Sequence, residues 1–342
     1  MLAAVRTGLR TIEMRDLDEP GEADDTAIIR TLVTGICGSD LHPYHGRAAP
    51  QRVQEGHEVA GEIVHLPDSF TGPLRVGDRV AVDIVCAGVS CGTCAACRDG
   101  QFFHCRTRSV PEWGGSFASA FERRPQGLFR IPDTLTDEQG ALIEPLAVAV
   151  HGVRWGRMRP GSSVAVIGAG SIGLVTLLAA KGLGAAEVHV VARHPHQAAL
   201  AMALGATSTS TPEEARRAIL DRTGGRGVDI AFETVGGHAT TVDLAWDVTR
   251  IQGTAVVLGI FPDPVPVNLI RPVVRELWAT FPICYGVIDG RHDFDVAIDL
   301  IASGHAPVER LVTHRFSLAD APEAFRVAAD KSTGSVKVHL RP

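Results

Sequence analysis

The stretch VAVIGAGSIGLVTLLAAKGLGA, residues 164–185, decides the fold. Its first four residues are apolar, as in a buried strand, and a glycine pattern of the form GxGxxG follows before a helical pattern begins. Glycines at this junction allow a tight turn and let the backbone approach a pyrophosphate at the helix N-terminus. The predicted dinucleotide-binding residues are Gly168, Gly170, Ser171, Ile172 and Gly173.

The same alternation of strands and helices continues through AEVHVVA, HQAALAMALGA, GVDIAFETVG and GTAVVLGI. This order is typical of a parallel sheet covered by helices, so we predict a doubly wound Rossmann domain over residues 151–283. Residues 1–150 alternate apolar and polar residues over strand lengths and predict an antiparallel β domain. The helix DFDVAIDLIASG and the strand SVKVHL, within residues 284–342, are expected to rejoin that domain. The predicted fold class is therefore α/β.

The end of the strand VHVVA predicts which cofactor binds. An acidic residue is expected there when NAD is bound, because it bonds to the ribose hydroxyls. The chain has Ala192 instead, followed by Arg193 and His194. A guanidinium can pair with the 2′-phosphate of NADP, so NADP is favoured over NAD. The alternative is that Arg193 is a solvated surface charge and that both cofactors are accepted.

Length and charge exclude several classes of protein. The chain has 342 residues, 21% of them charged, and a formal net charge of −6. This composition indicates a folded globular protein and gives no overall attraction to nucleic acid or anionic lipid. The N-terminus lacks the apolar segment of a signal peptide, and no apolar run is long enough to span a membrane. We expect a cytoplasmic protein with a small-molecule substrate and neither a nucleic-acid nor a membrane partner.

The segment CGTCAACRDGQFFHC carries the most specific motif of the chain. Four of the seven cysteines lie in it, with two, two and seven residues between them. Four thiolates on one loop can close a tetrahedral shell around zinc, as in structural sites. The predicted ligands are Cys91, Cys94, Cys97 and Cys105, and the alternative is a set of unrelated buried thiols. Cys86 and Cys284 fall outside the pattern and are expected to act as small buried hydrophobic residues.

A second set of candidate ligands is dispersed. GICGSDLH supplies Cys37, EGHE supplies His57 and Glu58, and IEPLAVAVHG supplies Glu144. A thiolate, an imidazole and a carboxylate form a mixed set that can hold zinc and still leave a position for water or substrate. Each residue alone is weak evidence for a catalytic site.

Taken together, GICGSDLH, GHE, the four-cysteine loop, EPLAVAVHG and GAGSIG resemble the zinc-containing medium-chain dehydrogenases, the alcohol and polyol dehydrogenase superfamily. The resemblance covers nearly the whole chain. It implies a GroES-like catalytic domain, a Rossmann domain, one catalytic and one structural zinc, and usually a dimer or tetramer. Cys37 and His57 match the family's zinc ligands. Glu58 and Glu144 match two carboxylates that share ligand and supporting roles, and the sequence leaves open which of them binds zinc.

The resemblance also implies a proton relay. Ser39 would take the proton of the zinc-bound hydroxyl and pass it through the cofactor ribose toward His42, with Glu58 as a further catalytic residue. The alternative roles for Ser39 and His42 are helix capping and hydrogen bonding within the loop.

LVTHRFSLADAPEAF and Glu144 are similar to the polyol branch, so the expected substrate is a polar secondary alcohol or ketone: a polyol, sugar, cyclitol or aminocyclitol. The candidate substrate contacts are Tyr44, His45, Trp113, Phe117 and Tyr285, although aromatic residues at these places could equally serve packing. Sorbitol-type enzymes tend to have arginine before the tyrosine, whereas this chain has Cys284, which argues against sorbitol itself.

Three other functions remain open. The first is a dehydrogenase of simple secondary alcohols. The second is a zinc-free reductase, against which the joint presence of Cys37, His57 and Glu144 argues. The third is a non-catalytic binding protein of the same fold, and the intact Ser39 and His42 argue against it.

Overall fold

The computed structural model describes residues 1–46, 56–110 and 114–342. These residues form two compact units. The first comprises Met1–Pro145, Cys284–Ala302 and Val308–Pro342, and the second comprises Leu146–Ile283 and Ser303–Pro307. None of the helices in the described ranges combines the length and the apolar character needed to cross a bilayer.

The N-terminal part of the first unit is rich in short strands. Its strands are β1 (Leu2–Gly8), β2 (Thr11–Asp16), β3 (Ala27–Gly35), β4 (Glu58–His65), β5 (Arg79–Val82), β6 (Ala120–Arg123) and β7 (Leu128–Arg130). Its helices are α1 (Gly38–Tyr44), α2 (Ala95–Arg98) and α3 (Asp137–Ala141). Strands β3, β4, β5 and β7 pair in that order with antiparallel neighbours, and β6 pairs with β3. The apolar face of this sheet buries Ile29, Ile63, Val80 and Phe121 in one cluster.

Strand β5 is shorter than the apolar alternation of GDRVAVDIV predicts. The reason is Asp83, which follows the strand and is buried. Its two carboxylate oxygens accept the backbone N–H groups of Cys86 and Ala87, each at 2.7 Å. The side chain therefore forms a turn that competes with the sheet for these backbone groups and ends the strand.

The second unit begins inside α4 (Ile143–Trp155) and alternates strands with helices. Its further elements are β8 (Ser163–Ile167), α5 (Ser171–Gly182), β9 (Glu187–Val191), α6 (Pro195–Ala203), β10 (Ser208–Ser210), α7 (Ala215–Arg222), β11 (Val228–Glu233), α8 (Thr241–Val248), β12 (Thr249–Val257), α9 (Ile270–Val274) and β13 (Trp278–Thr280). The strands form one sheet in the order β10-β9-β8-β11-β12-β13, and every pair is parallel.

That strand order is the doubly wound Rossmann order, and it confirms the predicted fold class. The chain leaves the central strand β8 toward β9 on one side and returns to β11 on the other. The carboxyl ends of β8 and β11 therefore form the switch point, where ligands bind in open α/β sheets. The glycine motif directly follows β8, so the topology places it at this point.

The C-terminal residues return to the first unit. They form β14 (Val287–Ile288), β15 (Arg291–His292), α10 (Asp293–Ala302), β16 (Val312–Ser317), α11 (Ala321–Ala329) and β17 (Lys337–Arg341). β17 pairs antiparallel with β3 and parallel with β16, so the described sheet runs β16-β17-β3-β4-β5-β7. Because β17 lies beside β3, residues from the end of the chain lie next to the segment that follows β3.

Candidate active site and metal centres

The four-cysteine loop brings its thiols together. The ligand atoms of Cys91, Cys94, Cys97 and Cys105 all lie within 4.8 Å of one another. The Sγ atoms of Cys94 and Cys97 are 3.5 Å apart, and those of Cys91 and Cys97 are 3.9 Å apart. Hydrogen bonds lower the pKa of Cys91 to about 5, and the Thr107 side chain makes the largest contribution to this shift. The lowered pKa favours the thiolate that zinc requires. This compact, all-sulfur set fits a structural zinc.

The second donor set forms where β3 ends and β4 begins. Gly35, the last residue of β3, pairs with Glu58, the first residue of β4. Cys37 follows β3 after one residue, and His57 directly precedes β4, so antiparallel pairing brings both to the same end of the sheet. The Cys37 N–H donates to the Asp40 carboxylate at 2.8 Å, which begins helix α1.

His57 lies between Asp40 and Ser39. Its Nδ1 is 3.6 Å from the Asp40 carboxylate, and its Nε2 is 3.4 Å from the Ser39 hydroxyl. Burial by itself lowers the pKa of His57, but its interactions with Asp40 first, and then with Cys37 and Glu144, outweigh burial and raise the pKa well above its usual value. The groups around His57 therefore favour a positive charge at this position.

Glu58 is fully buried and paired with Lys337, which is also buried. The Lys337 ammonium lies 2.5 Å from each Glu58 carboxylate oxygen and donates a longer bond of 3.3 Å to the Ile36 carbonyl. Burial raises the pKa of Glu58, but Lys337 and His57 lower it by more than burial raises it. The pKa of Glu58 therefore lies below its usual value, and Glu58 is ionised. Sequence reasoning missed Lys337. The available signal was a lysine inside the apolar strand SVKVHL.

Glu144 stands in the first turn of α4 and is 5% exposed. No hydrogen bond to its carboxylate is present among the described residues, in contrast to Glu58. Burial raises the pKa of Glu144 to about 8, Glu58 adds to the rise, and His57 and Lys337 oppose it. A buried carboxylate without a partner is costly to ionise, and a bound cation would supply that partner.

Cys37, His57 and Glu144 thus offer the sulfur, nitrogen and oxygen donors that suit a catalytic zinc. They are neighbours rather than a closed shell, since within the described ranges only the four cysteines bring three or more ligand atoms within 4.8 Å. The donor chemistry fits the metal, and the assignment of individual ligands remains a prediction.

The glycine motif has the backbone that its pattern predicts. Gly168 has a φ of +106°, a region that favours glycine. A Cβ on Gly173 would collide with the Gly168 carbonyl oxygen, whereas a Cβ on Gly170 would meet nothing within 4 Å. Gly170 caps α5, a helix of 12 residues that includes Ser171 and Ile172. The open space at Gly170 is where a pyrophosphate would approach the helix N-terminus.

We expect Gly173→Ala and Gly170→Ala to separate folding from cofactor binding. Gly173→Ala should lower Tm, because its Cβ forces the motif apart. Gly170→Ala should leave Tm unchanged, because its φ of −75° suits alanine, but should weaken cofactor binding about tenfold or more by occupying the phosphate space. Thermal unfolding and titration with reduced cofactor measure both effects. Equal Tm values for the two variants would contradict the packing argument.

Arg193 is exposed and directly follows Ala192 after β9. His194 caps α6, and its ring stacks on that of His196 with the centroids 5.6 Å apart. No carboxylate occupies this turn. The segment therefore presents cationic and aromatic groups to solvent.

The candidate substrate residues differ in their surroundings. Tyr44 and Phe117 are buried and pack against Phe325, with centroid distances of 5.6 and 5.2 Å. His45 is exposed at the end of α1, and its ring contacts that of Tyr44. Trp113 lies outside the described residues. For Tyr44 and Phe117 the packing role is visible, and a contact with substrate remains a prediction.

Tyr285 lies in a buried polar cluster. Its ring packs on Phe294 at 4.8 Å, and its buried hydroxyl has no partner of normal hydrogen-bond geometry among the described residues, although Asp83 is a neighbour. Burial raises the pKa of Asp83 to about 6. Cys86 is fully buried, as expected, whereas Cys284 is partly exposed and has a φ of +54°.

Comparison with known proteins gives this arrangement a family. Residues 23–133 match the alcohol dehydrogenase GroES-like domain, and residues 171–303 match the zinc-binding dehydrogenase domain. Sorbitol dehydrogenase of Bacillus subtilis is 33% identical, over 100% of this chain and 97% of its own. L-idonate 5-dehydrogenase of Vitis vinifera is 32% identical, over 98% and 93%. A zinc-binding dehydrogenase of Sinorhizobium meliloti, solved bound to NADP, is 31% identical over 100% and 99%, with a TM-score of 0.86.

A GroES-like unit with two zinc donor sets and a Rossmann unit define a class of two-domain, metal-dependent oxidoreductases. The chain belongs to the zinc-type alcohol dehydrogenases of the medium-chain family. The predicted family and fold class are confirmed.

Proposed function

We propose that the protein transfers a hydride between NADP(H) and the secondary hydroxyl or ketone of a polyol or related polar substrate, with zinc at Cys37, His57 and Glu144. The observation that carries the proposal is the buried Glu144 carboxyl group, which has no hydrogen bond among the described residues and lies near the His57 imidazole and the Cys37 thiol. The names of the polyol-acting relatives support the substrate class.

Zinc bound there would act as a Lewis acid and lower the pKa of the substrate hydroxyl. We assign direct ligation to Glu144 rather than Glu58, because both oxygens of Glu58 already bond to Lys337. In this assignment Glu58 and Lys337 hold the strand ends that carry His57 and Cys37. Asp40 orients His57 through Nδ1, so that Nε2 points toward Ser39.

Ser39 is the proposed proton acceptor. It is exposed in the first turn of α1, close to His57, and can accept a proton from a hydroxyl bound beside that imidazole. His42 lies three residues further along the same helix and therefore on the same face, from which it can receive the proton and pass it to solvent. The capping role that Ser39 could have played belongs to Asp40 in this structure.

NADP is the proposed cofactor. The turn after β9 offers the Arg193 guanidinium and lacks the carboxylate that would repel a 2′-phosphate. The relative from Sinorhizobium meliloti was solved with NADP, which supports the same choice. The alternative is that the protein accepts both NADP and NAD. In that case Arg193 is solvated and makes no contact with the 2′-phosphate.

We expect Arg193→Ala to raise the KM for NADP about tenfold or more, because one charge-assisted pair to the phosphate is lost. The KM for NAD in the same variant is the internal control and should be unchanged, since NAD has no 2′-phosphate. Steady-state kinetics with both cofactors measure the two values. A variant whose KM rises equally for NADP and NAD would contradict a specific contact.

Reduced-nicotinamide absorbance with zinc-loaded protein tests the proposed reaction directly. Linear polyols, sugars, cyclitols, aminocyclitols and simple secondary alcohols are compared, each with NADP and with NAD. We expect turnover on one polar class and little on simple alcohols. Activity confined to simple alcohols would favour the secondary alcohol dehydrogenase. Tight cofactor binding without turnover on any substrate would favour the non-catalytic binding protein.

We further propose that the protein forms a homo-oligomer through the β13 edge of the sheet. Trp278 and Phe281, on and directly after this edge strand, are 62% and 67% exposed. An exposed edge strand flanked by large apolar side chains is a template for pairing with a second copy. We expect Trp278→Glu to lower the mass measured by sedimentation, and Trp155→Glu, exposed at 49% in α4, to serve as the control. An unchanged mass in Trp278→Glu would contradict this interface.

A cytoplasmic location is the remaining part of the proposal. All seven cysteines are free thiols, and four of them form the candidate zinc site, which requires reduced sulfur. Fractionation of cells that produce the protein tests the location.

A further inference from the structure

A cleft lies at the end of the parallel sheet where strands β11, β12 and β13 begin. It has a volume of about 370 Å³ and is lined by Gly225, Arg226, Arg250, Ile251, Val274 and Arg275. The three arginines come from separate segments that precede or open β11, β12 and β13. Parallel pairing brings the starts of these strands to one edge, and with them three guanidinium groups.

The cleft carries more positive than negative charge. Asp229 is the carboxylate that pairs with its arginines: one oxygen accepts Arg250 Nε at 2.7 Å and Arg226 Nη2 at 3.1 Å. The other oxygen accepts the backbone N–H and the hydroxyl of Ser163, both at 2.9 Å. A single carboxylate therefore serves two guanidiniums, and both of its oxygens are already engaged.

Arg275 has no carboxylate partner among the described residues. Its Nη1 donates to the backbone carbonyls of Asp247 and Thr249 at 3.0 and 2.8 Å. These bonds orient the guanidinium without neutralising it. The neighbouring carboxylate of Glu276 bonds instead to the Gln252 side-chain amide at 2.7 Å and does not line the cleft.

The remaining wall is apolar. Ile251 is 65% exposed and Val274 is 67% exposed, so both present hydrocarbon surface beside the guanidiniums. The Gln252 N–H donates to the Arg275 carbonyl at 2.8 Å and so connects strand β12, which carries Ile251, to the end of helix α9, which carries Val274. A ligand that satisfies the cleft needs an anionic group for the arginines and an apolar group for the aliphatic side chains.

We propose that this cleft binds a small phosphate monoester, with the phosphate on the arginines and the organic group against Ile251 and Val274. Arginine is suited to phosphate because its planar fork donates two parallel hydrogen bonds. The volume lies within the range of small-molecule sites. The cleft is at the opposite end of β8 from the glycine motif, about 16 Å away at roughly 3.3 Å per residue, so its ligand does not compete with the dinucleotide.

Calorimetric titration of the full-length, zinc-loaded protein tests the site, with saturating NADP present to fill the dinucleotide site. Phenyl phosphate is the organic probe, and inorganic phosphate is the probe without an apolar group. We expect phenyl phosphate to bind with a Kd below about 1 mM and more tightly than phosphate. Equal affinity for phenyl phosphate and inorganic phosphate would overturn the proposed contact of the organic group with Ile251 and Val274. If neither probe bound saturably, the whole proposal would be overturned.

Three glutamine variants identify the location. Arg226→Gln and Arg275→Gln should each raise the Kd for phenyl phosphate about tenfold, as expected for the loss of a charge-assisted hydrogen bond. Arg226 is the safer variant for folding, because its side chain is 66% exposed and its one bond is to Asp229. Arg217→Gln, 76% exposed on α7, removes the same charge and should leave the Kd unchanged.

Two results would overturn the assignment to this cleft. Equal weakening in Arg217→Gln and Arg275→Gln would show general attraction to surface charge. A change of oligomeric mass in Arg275→Gln with unaltered binding of phenyl phosphate would show that the cleft instead receives an acidic group from a second copy of the chain.

Discussion

Cys37→Ser is expected to lower kcat by about a thousandfold or more while the protein remains folded. A serine hydroxyl is a poor zinc ligand at neutral pH, so the variant loses the ion and with it several kcal/mol of transition-state stabilisation. Folding should survive because the backbone N–H of residue 37 still donates to Asp40, and serine is a good residue at a helix N-cap.

Cys94→Ser is the matched control for this prediction. It makes the same chemical change in the four-cysteine cluster, so metal analysis should find one zinc fewer in either variant. The consequences should differ: Cys94→Ser should lower Tm, whereas Cys37→Ser should abolish turnover at nearly unchanged Tm. Full turnover by Cys37→Ser after loss of one zinc would exclude the proposed catalytic role of the metal at this site.

Lys337→Met is expected to reduce the free energy of unfolding by about 3–5 kcal/mol. The substitution keeps an aliphatic side chain in the buried strand but leaves Glu58 fully buried without its cation. Removing one partner of a buried pair exposes the full desolvation cost of the other, which is larger than the net stabilisation by the intact pair. Urea unfolding measures the change.

Two further variants test whether the loss of stability comes from the unpaired charge of Glu58. Lys181→Met removes an exposed lysine of the other unit, and we expect a loss below about 1 kcal/mol, although its bond to the Gly205 carbonyl is lost. The double variant Lys337→Met with Glu58→Leu should recover part of the stability, because no unpaired charge remains. If Lys337→Met were no more costly than Lys181→Met, the buried ion pair would not stabilise this fold.

Local motifs were predictable from the sequence. The glycine pattern after residues 164–167 requires only a strand, a turn and a helix in succession, and the structure has all three. The four cysteines span one loop, so their spacing alone limits how far apart the thiols can lie. The alternation of apolar strands and helices likewise predicted the parallel sheet, because the period of the hydrophobic pattern reflects local backbone geometry.

Local reasoning was weaker where a side chain competes with the backbone. The apolar alternation around β5 continues beyond Val82, yet the strand stops there because the Asp83 side chain accepts the N–H groups of Cys86 and Ala87 and turns the chain. The packing of Tyr44 and Phe117 on Phe325, far along the chain, is a separate case that their positions near the motifs could not reveal. Their contact with substrate remains a prediction.

Pairings between distant segments came from the tertiary structure alone. Lys337 and Glu58 are 279 positions apart and meet because β17 and β4 both pair with β3. The arginine cleft depends in the same way on the starts of three parallel strands. The spacing of two residues in the sequence predicts their contact when only a few residues of backbone connect them. When strand pairing between distant segments brings two residues together, as with Lys337 and Glu58, the contact depends on the packing of the whole unit and cannot be read from the spacing.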